Sequence, residues 1–135
     1  MLQRQLAETI ISNYKKGFID IIYGPRRIGK TVLISQILDK LKNLNTIDAS
    51  NNAVKIFNGD YLEDRELLSD TSFVHLKKIA QTTSVLVIDE AQRIPNISLS
   101  LKILIDAFPN LRIIVTGSSS LHLSKGAKEV LTGRT

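Results

Sequence analysis

The chain has 135 residues, enough for about one domain. Its 43% hydrophobic and 23% charged content is that of an ordinary globular domain and excludes a disordered or fibrous chain. It has no cysteine, which excludes a disulfide scaffold and thiolate metal sites. The net charge of +5 permits a polyanionic partner without requiring one. The basic residues are scattered, and Asp60, Glu63, Asp64, Glu66 and Asp70 cluster mid-chain. With only 5% aromatics, platforms for stacking single-stranded bases are poorly supplied. Residues 1–10 carry Arg4 and Glu8 and lack the apolar run of a secretory signal. The longest apolar stretches, such as Val85 to Ile88, are far short of a membrane span. Residence in the cytoplasm is the expectation.

In chain order, Leu2, Leu6, Ile10 and Ile11 recur at helical spacing, and Gly17 ends that helix. Residues 18–23 form a nearly all-apolar strand, the pattern of a central parallel strand. From Lys30 to Leu44 the apolar positions describe an amphipathic helix. A short strand at 54–57 closes in the turn Asn58-Gly59-Asp60. Residues 62–80 are helical in two pieces, with cap chemistry at Ser69-Asp70-Thr71-Ser72. A second apolar strand covers 84–88, a helix 97–108, a third apolar strand 112–115, and a last helix 121–131. Strands alternating with helices predict an α/β fold with a parallel sheet covered on both faces. Ligands of such sheets bind at the carboxyl ends of the strands. Polar clusters follow three of those ends.

The first cluster is Gly24-Pro25-Arg26-Arg27-Ile28-Gly29-Lys30-Thr31, which fits G-x-x-x-x-G-K-[ST] between a strand and a helix. Glycine at 24 and 29 permits close backbone approach, so loop N–H groups can surround phosphate oxygens. The helix start adds partial positive charge. Lys30 can reach the β and γ phosphates, and the Thr31 hydroxyl can bind Mg2+. Arg26 and Arg27 are equally readable as phosphate contacts or as solvated loop charges. The second cluster is Asp89-Glu90 after Val85-Leu86-Val87-Ile88. Asp89 suits a Mg2+ ligand, and Glu90 is placed to polarise an attacking water. The third is Thr116-Gly117-Ser118-Ser119-Ser120, whose hydroxyls suit either a γ-phosphate contact or a helix cap, with Ser120 the better cap. Gln92 reads as a reporter of nucleotide state or as a surface polar residue. Arg134 reads as a terminal solvated arginine or as a finger. His75 and His122 are isolated, and no nucleophile–base–acid triad is apparent.

Together, residues 24–31, Val87-Ile88-Asp89-Glu90-Ala91-Gln92, Thr116 to Ser120 and Leu131-Thr132-Gly133-Arg134 resemble the prokaryotic AAA+-type P-loop ATPases. The resemblance covers essentially the whole chain. It implies a three-layer P-loop NTPase fold and binding of ATP and Mg2+. Nucleotide contacts then fall at Gly24, Pro25, Arg26, Arg27, Ile28, Gly29, Lys30, Thr31 and Val32, with Thr116 or Ser118 as sensor. Thr31 and Asp89 become the metal residues, and Glu90, Lys30 and Arg134 the catalytic ones. Members are considerably longer and carry a winged-helix-like region and a C-terminal restriction-endonuclease-like domain. Residues 1–135 are therefore expected to be an ATPase domain truncated at its C-terminal end. The family's core has five strands in the order 5-1-4-3-2. Only four strands are legible here, so the fifth, beside 18–23, is expected to be missing. The chain alone is then expected to bind ATP and hydrolyse it poorly.

The leading function is ATP binding and hydrolysis within a larger protein. One competitor is a nucleic-acid-dependent helicase or translocase fragment, because Asp-Glu-Ala-Gln resembles a helicase box. The short stretch between Lys30 and Asp89 leaves little room for its other motifs. Another competitor is a non-hydrolysing nucleotide switch or scaffold. Expected partners are nucleotide, the further domains of the longer protein, a second copy of the chain and, in the helicase reading, nucleic acid.

Overall fold

In the computed structural model, residues 19–23, 28–43, 54–118 and 127–131 are described, with the backbone path alone at 28–31, 40–43 and 127–131. The elements are β1 (Ile19–Tyr23), α1 (Ile28–Asn43), β2 (Val54–Asn58), α2 (Leu62–Ser69), α3 (Phe73–Ala80), β3 (Val85–Asp89), a short 3-10 turn (Ala91–Arg93), α4 (Ile97–Ala107), β4 (Arg112–Gly117) and β5 (Ala127–Leu131).

The five strands form one sheet in the order β2-β3-β4-β1-β5, and every pairing is parallel. β4 therefore lies between β1 and β3. This is the order that the resemblance implies, and its fifth strand is present. The expectation of a missing fifth strand is corrected by β5, which pairs with β1 from Ile19↔Ala127 to Tyr23↔Leu131. The same segment overturns the helix expected to run to Leu131. Ala-Lys-Glu-Val-Leu is rich in helix formers, but propensity is a weak prior against pairing with the edge of a buried strand. One basis for expecting poor hydrolysis by this chain is thereby removed.

Alternation along the strands sorts side chains to two faces. Ile19 and Ile21 of β1, Leu86 and Ile88 of β3, and Ile113 and Val115 of β4 share one core with Leu68, Leu76, Ile79, Leu101 and Leu104 from α2, α3 and α4. Ile22, Val85, Val87 and Ile114 point the other way, onto Leu33, Ile34 and Ile37 of α1. The result is three layers, with β1, β3 and β4 buried on both faces. That explains why those strands read as continuous apolar runs. None of the described helices is long and apolar enough to cross a membrane.

The break expected in 62–80 falls at Asp70–Ser72. Its chemistry is an Asx-type turn rather than a side-chain cap. The Ser72 N–H donates to Asp70 Oδ1 at 3.0 Å, and Ser72 makes no side-chain capping bond to α3. Lys55 on β2 donates to the Ile79 carbonyl in the last turn of α3 at 3.0 Å, where a cation suits the helix end.

Among the described residues, one ion pair interrupts the apolar core. Arg112 Nη2 lies 3.7 Å from Asp20 Oδ2, and the two side chains are only 9% and 6% exposed. It ties the start of β4 to β1, beside the Arg112 N–H that donates to the Ser84 carbonyl at 3.1 Å. Buried charges are costly unless paired, so losing one partner is worse than losing both. Arg112→Ala is expected to lower stability by about 3–5 kcal/mol. The pair Asp20→Leu with Arg112→Met should cost far less. Chemical denaturation of the three proteins checks this, and equal losses would contradict it.

Candidate functional site

The carboxyl ends of the strands lie along one edge of the sheet. Register pairs Asn58 with Asp89 and Ile88 with Val115, then Tyr23 with Gly117 and with Leu131. β1 leads into α1, whose first residues are Ile28, Gly29, Lys30 and Thr31, two residues earlier than the apolar pattern indicates. The helix therefore starts at the same edge as the ends of β3 and β4. Gly24, Pro25, Arg26 and Arg27 lie outside the described residues, as does Arg134, while Val32 is partly exposed on α1.

β3 ends in Asp89, and Glu90 then adopts the left-handed conformation, φ 52° and ψ 46°. For a residue with a Cβ this costs of order 1–2 kcal/mol. Hydrogen bonds among the described residues hold it. The Glu90 N–H donates to Thr116 Oγ1 and to Asp89 Oδ1, each at 3.1 Å. The Thr116 hydroxyl in turn donates to Asp89 Oδ1. The Arg93 N–H donates to the Glu90 carbonyl at 3.2 Å, closing the 3-10 turn. Ala91, fully buried in the core, anchors that turn.

Thr116 is itself fully buried, and Glu90 is only 4% exposed. The Glu90 side chain accepts from Gln92 Nε2 at 2.9 Å, and Gln92 Oε1 accepts from the Ser118 N–H at 3.3 Å. Asp89, Glu90, Gln92, Thr116 and Ser118 thus form one hydrogen-bonded group at the joined tips of β3 and β4. Of the residues singled out from sequence, these come together. Ser119 and Ser120 lie outside the described residues.

The loop after β2 packs against this group. The Gly59 N–H donates to the Asp89 carbonyl at 2.8 Å. A Cβ at Gly59 would collide with the Glu90 carbonyl oxygen and come within 3.3 Å of Arg93 Cβ. Arg93 Nε sits 3.4 Å from Asp60 Oδ1, and Arg65 Nη1 donates to the Gly59 carbonyl at 2.8 Å. The sequence marks Asn58-Gly59-Asp60 as a turn but carries no sign that it braces Glu90.

Among the described residues no group of three or more His, Asp or Glu could hold a metal ion. A Mg2+ site does not need one, because Mg2+ keeps waters and binds through one or two carboxylates plus substrate phosphates. Asp89 fits that role. Both of its side-chain contacts fall on Oδ1, so Oδ2 is the oxygen that can meet a cation's shell.

A three-layer parallel sheet with β4 inserted between the strand before the glycine-rich motif and the acid-tipped strand defines a P-loop NTPase fold. The sequence matches the family described as AAA domain over residues 16–135, and the chain belongs to that family. It is an ATPase-type nucleotide-binding domain. A search of the curated proteins found no match.

Gly59→Ala is expected to lower stability by about 1–3 kcal/mol, since the methyl meets backbone rather than a side chain that can swing away. An unchanged melting midpoint would show that the two loops do not abut.

Proposed function

We propose that this AAA domain binds Mg2+–ATP through residues 24–32 and hydrolyses it with Glu90 as general base. One observation carries the reading. Two acids, one of them buried, are held by a shared hydroxyl at the tip of β4, next to the strand that feeds α1.

In this reading the N–H groups of the 24–29 loop and the start of α1 surround the phosphates. Lys30 reaches the β and γ phosphates. Thr31 and Asp89 hold Mg2+, which neutralises charge on the phosphate oxygens. Glu90 takes the proton of the water that attacks the γ phosphorus, as the bond to the departing ADP breaks. Its burial excludes bulk water from that exchange. Thr116 is committed to Asp89 and the Glu90 N–H, so its part is to hold both acids. Ser118, half-buried at the end of β4, suits the sensor contact better. Arg134 serves as a finger or sensor arginine, supplied within one chain or by a second copy in a homo-oligomer. Residues 1–135 act as the ATPase module of a larger cytoplasmic protein, whose further domains include the restriction-endonuclease-like one implied by the resemblance.

Thermal melts with and without Mg2+–ATP test this. At nucleotide near 100 times the dissociation constant, binding should add about 2.7 kcal/mol. Lys30→Ala should abolish the rise. Glu90→Gln should keep the rise but lower turnover by roughly 10²–10⁴. No rise at millimolar nucleotide in folded protein overturns the binding reading. Normal turnover by Glu90→Gln overturns the base assignment.

A further inference from the structure

The position of Gln92 goes beyond that reading, although it rests on Glu90 as the base. We infer that Gln92 is a positioning residue that ties the Glu90 carboxylate to the tip of β4, so that displacement of Ser118 is passed to Glu90.

The tie has one polarity. Gln92 Oε1 receives the Ser118 N–H and Gln92 Nε2 donates to Glu90 Oε1. Turning the amide over would face two donors at one end and two acceptors at the other. Both ends of the side chain are used and Gln92 is half-buried, which disfavours a plain surface residue. The tie is also short. Residues 90 and 92 flank Ala91, which is locked in the core, on a turn closed by the Arg93 and Ile94 N–H groups.

β4 therefore reaches the acids by two routes. Thr116 fixes the backbone of Glu90 and the carboxyl of Asp89. Ser118, through Gln92, bonds the Glu90 carboxylate. The first route bears on where the base is attached, and the second on where its carboxylate points. Ligand contact at Ser118 then reaches the base through one amide, without movement of the sheet.

A melting cycle tests the tie independently of turnover. It compares wild type, Gln92→Glu, Glu90→Gln and the double variant. In Gln92→Glu the new carboxylate still accepts from Ser118 but turns an acceptor and a like charge toward the Glu90 carboxylate. Gln92→Glu should therefore melt about 4 °C below wild type at neutral pH. The double variant restores a donor facing an acceptor and should melt near Glu90→Gln. A Gln92→Glu variant that melts with wild type, or a double variant no better than Gln92→Glu, overturns the tie.

Positioning is tested by Gln92→Ala, which should lower kcat about 10–100-fold while leaving KM for ATP unchanged. An unchanged kcat overturns the positioning role. Normal turnover by Glu90→Gln would instead remove the base, and the melting cycle would still judge the tie.

Discussion

The Thr116 hydroxyl donates to Asp89 and accepts from the Glu90 N–H, and the geometry at the edge of the sheet depends on this one group. Asp89 is the last residue of its strand, and Glu90 turns sharply away in a conformation that side chains resist. Without acceptors for its buried N–H, Glu90 would combine backbone strain with an unsatisfied donor. Thr116 Oγ1 and Asp89 Oδ1 share that N–H, and the Thr116 hydroxyl holds Asp89 as well. The strain is tolerated because the surroundings over-determine it. The Gly59 loop packs on the Glu90 carbonyl side, Ala91 is locked in the core, and β4 grips from the third direction.

That grip requires β4 to lie beside β3, and the sheet order provides it. From β1 in mid-sheet the described elements pass by way of α1 to the far edge at β2, and return through β3 and β4 to lie beside β1 again. The helix after β1 covers one face and the helices flanking β3 cover the other. The tips of β1 and β3 are thus held apart by one strand, with the polar tip of β4 between them. At the opposite end of the sheet, the Asp20–Arg112 pair fixes β1 against β4. In this order the segment that follows β1 and the acid that ends β3 lie on either side of the tip of β4.

Much of this was legible in the sequence. Unbroken apolar runs at 18–23, 84–88 and 112–115 marked strands buried on both faces, and the cap-rich stretch at 69–72 marked the break between α2 and α3. The clustering of Asp89, Glu90 and Thr116 followed from reading polar residues at strand ends. β5 was hidden because Ala-Lys-Glu-Val-Leu favours a helix, and only pairing with β1 makes it a strand. The left-handed Glu90, the Gly59 contact and the Gln92 bridge are relations between segments distant in sequence, which no local pattern encodes. The Asp20 pairing was invisible for the same reason, since its partner opens another strand.

The most direct test of the account compares Thr116→Val with Thr116→Ser by chemical denaturation. Valine keeps the shape of threonine and removes the hydroxyl, which takes one of two acceptors from the Glu90 N–H and leaves Asp89 Oδ1 without the Thr116 donor. The account predicts a loss of about 1–3 kcal/mol for Thr116→Val. Thr116→Ser keeps the hydroxyl and should retain most of that stability, losing only the methyl's packing. If Thr116→Val is as stable as wild type, or Thr116→Ser is as damaged as Thr116→Val, the shared hydroxyl does not hold the two acids in place.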